Sequence, residues 1–111
     1  MKLITAVIKP FKLDELLDVL IELGVAEITV TDAKVFGRQK GPAEIYRGAK
    51  YDAQFVRKIE VKVIVEDTKC GSVVDAIYST AKTGLIGAGK IYVTPVESVV
   101  RLHVPAAASP A

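Results

Sequence analysis

The alternation of hydrophobic and polar residues begins with a strand and a helix. Leu3 to Ile8 is a run of apolar and β-prone residues, and Pro10 ends it. The following stretch, KLDELLDVLIELG, spaces its leucines at helical intervals with acidic residues between them. Gly24 closes this stretch, as a helix C-terminal cap often does. The first unit is therefore a strand followed by an amphipathic helix.

The same order of elements returns in the rest of the chain. EITVTDAKVF, from Glu27 to Phe36, predicts a second strand, and KIEVKVIVE predicts a third from Lys58 onward. VVDAIYSTA carries the apolar face of a second helix, IYVTPV predicts the fourth strand, and SVVRL, residues 98–102, is a candidate for a short additional strand. Two β-α-β units in about a hundred residues predict a ferredoxin-like α+β sandwich, with both helices on one face of a four-stranded sheet.

The first predicted strand carries apolar residues on both of its faces. Leu3 and Val7 share one face, whereas Ile4, Ala6 and Ile8 share the other. A sheet that is wetted on one side alternates cleanly between apolar and polar residues. We therefore expect the face opposite the helices to be covered by other copies of the chain in a homo-oligomer.

The composition limits the classes of function. The chain has 111 residues, half of them apolar, which predicts one domain whose core needs no disulfide. Its one cysteine cannot form an internal disulfide and fits a reducing compartment. A net charge of +2 is too small for a nucleic-acid-binding surface. The apolar stretch before Lys9 is too short for a signal peptide or a membrane span, so we expect a cytoplasmic protein without membrane insertion or direct nucleic-acid binding.

A long segment without periodicity, Gly37 to Phe55, separates the second and third predicted strands. Connections longer than about 12–15 residues in a compact domain are usually functional or disordered. The segment has four basic and two acidic residues, which accounts for the net charge of +2. A solvated flexible insert explains this polarity. A loop that docks on another protein is favoured instead by its apolar and aromatic residues, Ile45, Tyr46, Tyr51 and Phe55.

The segment TGLIGAGK, Thr83 to Lys90, matches the phosphate-binding pattern G-x-x-x-x-G-K, but Ile91 stands where a P-loop needs Ser or Thr for Mg²⁺. A P-loop leaves a strand and opens a helix, whereas this segment follows a predicted helix and precedes a strand. Gly87 and Gly89 still allow backbone N–H groups to converge on an anion, and Lys90 adds a positive charge. A plain turn and an anion-binding loop both remain open.

Further basic positions favour a polyphosphate ligand. Arg101 and His103 share one face of an extended segment, and Arg38 stands beside Gly37. These segments lack a general base or a water-positioning acid, which hydrolysis requires. We therefore expect binding without efficient turnover.

The motifs GRQKG, YRGAKY and TGLIGAGKI, together with the opening VIKPFKLDEL, resemble those of the PII signal-transduction family, the trimeric nitrogen-status sensors of bacteria, archaea and plants. The resemblance covers nearly the whole chain. It implies one ferredoxin-like domain over residues 1–104 that assembles as a homotrimer, followed by a disordered tail over residues 105–111. Residues 37–55 would form the protruding T-loop that docks on partners, and residues 83–90 would form the nucleotide-binding B-loop.

The resemblance also implies ligands and their contacts. ATP or ADP would bind in clefts between subunits, with Mg²⁺ and 2-oxoglutarate beside the ATP. Lys58 would pair with the distal carboxylate of 2-oxoglutarate, Gln39 would contribute an amide oxygen to Mg²⁺, and Tyr51 would be the tyrosine that some members have nucleotidylylated. Gly41 and Gly87 would contribute to the 2-oxoglutarate and Mg²⁺ site. The nucleotide would be contacted by Thr29 near the base and by Gly37, Arg38, Gly87, Gly89, Lys90, Arg101 and His103 at the phosphates.

Several positions depart from the residues that are usual in the PII family. Lys62 and Ala88 replace acids, Leu85 replaces a lysine and His103 replaces an arginine, and all four changes bear on nucleotide preference. Lys50 replaces a glutamate beside the candidate modified tyrosine and bears on regulation by modification.

Three classes of function follow from the sequence. The first is a non-enzymatic sensor whose T-loop regulates protein targets, such as metabolic enzymes, a nucleotidylyltransferase or an ammonium transporter that recruits it to the membrane. The second is a slow ATPase, and the third is a structural trimer with a vestigial pocket. Because Gln39 and Lys58 are kept, we expect a sensor of 2-oxoglutarate and nucleotide. A divergent member that answers mainly to adenine nucleotides and regulates another transporter or enzyme is the alternative.

Overall fold

The computed structural model describes residues 1–38, 53–84 and 89–102. Four strands and two helices follow one another in the order β-α-β-β-α-β, with a short 3-10 turn before the first helix. The four strands form one antiparallel sheet in the order β2-β3-β1-β4. This arrangement confirms the ferredoxin-like α+β fold. The elements are β1 (Lys2–Ile8), the 3-10 turn (Pro10–Lys12), α1 (Leu13–Glu22), β2 (Thr29–Arg38), β3 (Ala53–Val65), α2 (Asp67–Ala81) and β4 (Gly89–Pro95).

Local sequence signals set both ends of α1. Pro10 opens the 3-10 turn that leads into the helix, because its fixed φ suits a first helical position and its missing N–H needs no partner there. At the other end Gly24 adopts φ +86°, a left-handed conformation that glycine reaches without steric cost. The N–H of Val25 then donates to the carbonyl of Leu20, which satisfies a free helix-end carbonyl.

Both helices pack on one face of the sheet and form the core there. Leu16 and Leu20 of α1 and Val73 and Ile77 of α2 are buried against alternate residues of β1 and β3. Full burial of such a side chain contributes about 1.5–3 kcal/mol, so this face supplies most of the stability. The strand residues on this face are Ile4, Ala6, Ile8, Ile59, Val61, Val63 and Val65.

The opposite face of the sheet has no helix over it in the described part of the chain. Thr5 and Val7, in the middle of the sheet, are nevertheless buried by their strand neighbours. Towards the ends and edges of this face, Val56, Ile64 and Tyr92 are each close to half exposed. The face therefore presents apolar side chains to solvent, as expected of a surface that another chain covers.

The structure differs from the sequence-based expectations in two places, namely the ends of the 37–55 segment and the candidate strand over residues 98–102. The ladder between β2 and β3 continues to the pairs Gly37 with Gln54 and Arg38 with Ala53, so both ends of the segment assigned to the T-loop belong to a hairpin. Residues 98–102 form no strand, because the chain from Val96 to Leu102 has no regular secondary structure.

The remaining predictions about loops fall on residues that the structure does not describe, namely 39–52, 85–88 and 103–111. Those about Gln39, Gly41, Tyr51, Gly87, His103 and the 105–111 tail stay predictions. Neither helix in the described ranges is long and apolar enough to cross a membrane.

Candidate functional site

The described part of the glycine-rich segment brings β4 unusually close to β1. Gly89, the first residue of β4, has φ +137° and pairs with Ile8. A Cβ atom at this position would collide with the carbonyl oxygen of Val7. Only glycine therefore fits here, both for its backbone conformation and for the approach of the two strands.

Lys90 follows directly on the face of the sheet that the helices leave open. It pairs with Val7, and its Nζ lies 5.9 Å from the ring centroid of Tyr92 on the same face. Lys90 also lines a cleft of about 510 Å³ between β4 and the end of α2, together with Thr83 and Gly84. An exposed ammonium beside a glycine turn can bind an anion at this edge of the sheet.

Lys58 lies at the same end of the sheet but is buried. It is only 6% exposed, and it precedes Ile59, the partner of Ile8, so it lies beside Lys9. Burial, and secondarily the positive charge of Lys9, lower the pKa of the Lys58 ammonium from its ordinary 10.5. A carboxylate that approached this group would favour its charged form and bind to it.

Thr29 and Arg101 lie together in a separate groove of about 430 Å³, which we call the Thr29 groove. Lys62, the strand partner of Thr29, lines the groove as well, as does Glu27. Arg101 Nη1 lies 3.1 Å from Glu27 Oε1, and Lys62 Nζ lies 3.5 Å from Glu60 Oε1. With Lys69 and Glu66 also in its lining, the groove combines a hydroxyl with three basic and two acidic side chains.

The structure divides the predicted nucleotide contacts into two groups. Thr29 and Arg38 begin and end the same ten-residue strand, which at about 3.3 Å per residue separates them by roughly 30 Å. Lys90 lies on β4, the opposite edge strand from β2. A nucleotide that touched Thr29 could not also reach Arg38 of the same chain. The predicted contacts of one chain therefore lie in two separate places, which we call the two partial sites.

Two features of these partial sites were not predicted from the sequence. The burial of Lys58 depends on its central strand, and the contact of Glu27 with Arg101 joins residues 74 positions apart. The sequence placed Lys58 and Glu27 in predicted strands, but it indicated neither the burial of the first nor the charged partner of the second. Only the folded chain brings the charged partners together.

Comparison with known proteins agrees with the fold and with the sequence motifs. Residues 1–104 match the family model described as Nitrogen regulatory protein P-II. The chain is 55% identical over 103 residues to a Nitrogen regulatory protein P-II of Azospirillum brasilense, which covers 93% of this chain and 92% of that protein. Proteins of the same name from Rhizobium meliloti (strain 1021) and Microchaete diplosiphon are 53% and 48% identical over the same coverage. The chain belongs to the nitrogen regulatory protein P-II family.

Proposed function

We propose that this protein is a non-enzymatic sensor that binds ATP or ADP and 2-oxoglutarate and regulates protein targets through its T-loop. Membership of the family supports a role in nitrogen signal transduction. The ligands and targets are the finer part of the proposal. Its main support is the division of the candidate contacts into two partial sites on one chain.

The two partial sites can combine into one complete site if copies of the chain meet edge to edge. In a closed ring the edge of one copy faces a different edge of the next, so the Lys90 end of one subunit can meet the Thr29 groove of its neighbour. The exposed apolar side chains on the helix-free face, such as Ile64 and Tyr92, give such a ring a surface to bury. A homotrimer with three shared clefts satisfies both observations.

The charges of the described residues fit an anionic nucleotide. Gly89 and Lys90 would hold phosphates from one side, Arg101 would hold them from the other, and Thr29 would lie near the base. Arg38, Gly37, Gly87 and His103 are proposed to complete the phosphate contacts. Mg²⁺ would neutralise phosphate charge and would be held by phosphate oxygens, 2-oxoglutarate and the amide oxygen of Gln39.

Lys58 supports 2-oxoglutarate as the second ligand. A dicarboxylate offers one carboxylate to Mg²⁺ and leaves the other free to pair with a cation. Lys58 is buried at the same end of the sheet as Lys90, where desolvation strengthens a charge pair. Gly41 and Gly87 are proposed to line the same site through their backbones.

The T-loop is proposed to transmit the ligand state to partners. The T-loop continues from the end of β2 at Arg38, so a ligand at this end of the hairpin would bias the conformations of the loop. Suitable targets are an ammonium transporter, a nucleotidylyltransferase that modifies Tyr51, or metabolic enzymes. The protein would act in the cytoplasm and reach the membrane when a transporter recruits it.

Calorimetric titration tests this function through the coupling of the two ligands. We expect 2-oxoglutarate to bind at least about tenfold more tightly with Mg-ATP present than without it, because the metal bridges both ligands and such couplings are typically 1–3 kcal/mol. ADP should support this binding less well, since it lacks the third phosphate.

Three outcomes would contradict parts of the proposal. Equal 2-oxoglutarate affinity with and without Mg-ATP would contradict the shared metal. Saturable ATP binding without any 2-oxoglutarate binding would favour the alternative, a protein that responds mainly to adenine nucleotides. No saturable ATP binding would favour a structural trimer with a vestigial pocket.

A further inference from the structure

Arg101 already has an anionic partner within its own chain. Its Nη1 lies 3.1 Å from Oε1 of Glu27, in the turn before β2, and both residues line the Thr29 groove. Lys62 also lines the groove, but its Nζ lies 3.5 Å from the carboxylate of Glu60. Lys69 lines the groove as well, but the ion pair of Glu27 in the described part of the chain is with Arg101, the guanidinium that is proposed to meet a nucleotide.

We propose that Glu27 is a specificity-determining residue that competes with nucleotide phosphates for Arg101, an inference that rests on the proposed function of the groove. A guanidinium has five N–H donors and can in principle hold a carboxylate and a phosphate together. The two anions would then lie within a few ångströms of each other and repel. Phosphate binding must therefore displace Glu27 or tolerate its charge.

The exposure of the two side chains sets the size of the competition. Glu27 is 80% exposed and Arg101 37% exposed, so water screens their attraction and the pair separates easily. Glu27 accordingly tunes affinity and does not block the groove. Because the effect is repulsion between charges, it grows with the charge of the ligand: it is largest for ATP, smaller for AMP and absent for adenosine.

The test compares the full-length wild-type protein with Glu27→Gln by calorimetry, using ATP, AMP and adenosine as ligands at one salt concentration. We expect Glu27→Gln to tighten ATP binding about two- to fivefold, the range that corresponds to a partly exposed ion pair. AMP affinity should rise less, and adenosine affinity should not change. Asp18→Asn removes the same charge from the exposed side of α1, outside the groove, and should leave ATP affinity unchanged.

A double-mutant cycle identifies Arg101 as the route of the effect. In an Arg101→Gln background, Glu27→Gln should no longer tighten ATP binding, because the group for which the two anions compete is gone. A merely structural role of Glu27 would instead change the midpoint of thermal unfolding and act on all three ligands alike.

The outcomes separate this inference from the proposed function. Saturable ATP binding by the wild type with no tightening in Glu27→Gln overturns the role of Glu27 and leaves the proposed function standing. Equal tightening of ATP and adenosine, or tightening that persists without Arg101, also overturns it. Failure of the wild type to bind ATP at all overturns the proposed function itself.

Discussion

Replacing Gly89 by alanine is expected to destabilise the protein by at least about 3 kcal/mol and to abolish ATP binding. A side chain at φ +137° is strained, and such strain alone costs roughly 1–3 kcal/mol. The added Cβ would also collide with the carbonyl oxygen of Val7, a backbone atom that cannot rotate away. The strands β1 and β4 must therefore separate, which moves Lys90. Urea unfolding followed by circular dichroism, and ATP titration, measure the two effects.

Gly84→Ala is the matched control for this substitution. Gly84 also has a positive φ, +77°, and belongs to the same glycine-rich segment, but a Cβ there would meet no atom within 4 Å. Its replacement should cost only the conformational strain, about 1–2 kcal/mol. Equal losses of stability in the two variants would show that the close approach of β4 to β1 is not what requires Gly89.

Replacing Lys58 by methionine is expected to weaken 2-oxoglutarate binding at least about thirtyfold and to change ATP affinity less than about threefold. Removing one partner of a buried charge pair costs about 2–5 kcal/mol, whereas the nucleotide is proposed to depend on other cations. Methionine has a similar length and suits a buried strand position. Lys34→Met, an exposed lysine of β2, should leave both affinities unchanged. Equal loss of ATP and 2-oxoglutarate binding would show that Lys58 supports the fold instead.

The lowered pKa of Lys58 gives this prediction a pH dependence. A bound carboxylate raises that pKa, so binding is strongest below the pKa of the free protein and weakens as pH rises through the pKa of the complex. The stability of the fold changes with pH in the opposite direction to this ligand affinity. Between the lowered pKa and 10.5 the unfolded chain holds more protons, so this residue's contribution to the free energy of unfolding rises with pH. The Lys58→Met protein should lack that rise.

Periodicity predicted the fold because each element here obeys its local rule. The leucines of α1 and the alternation from Lys58 to Val63 place their apolar residues on the face that the core buries. Boundaries were harder to predict. Nothing in the sequence around Phe36 and Phe55 shows that the two strands continue pairing beyond their apolar runs, whereas in the structure these rings pack with centroids 5.0 Å apart.

The candidate site was only partly predictable for a different reason. Lys90 and Arg101 stand out in the sequence as isolated cations near glycines or in an extended segment. Their separation is a property of topology, because Lys90 lies on β4 whereas Arg101 lies beside the start of β2, the strand at the opposite edge of the sheet. The pairing of Arg101 with Glu27 likewise depends on how the chain after β4 returns past the start of β2.

The most direct test is complementation between two defective variants, Lys90→Ala and Arg101→Ala. Each variant alone should form trimers that bind ATP much more weakly than the wild type, because every cleft lacks one half of its phosphate contacts. When the two are co-expressed with different tags and mixed trimers are isolated, one cleft per trimer should combine both intact halves and bind ATP with wild-type affinity. Mixed trimers that bind ATP no more tightly than either variant alone would contradict a site shared between two copies of the chain.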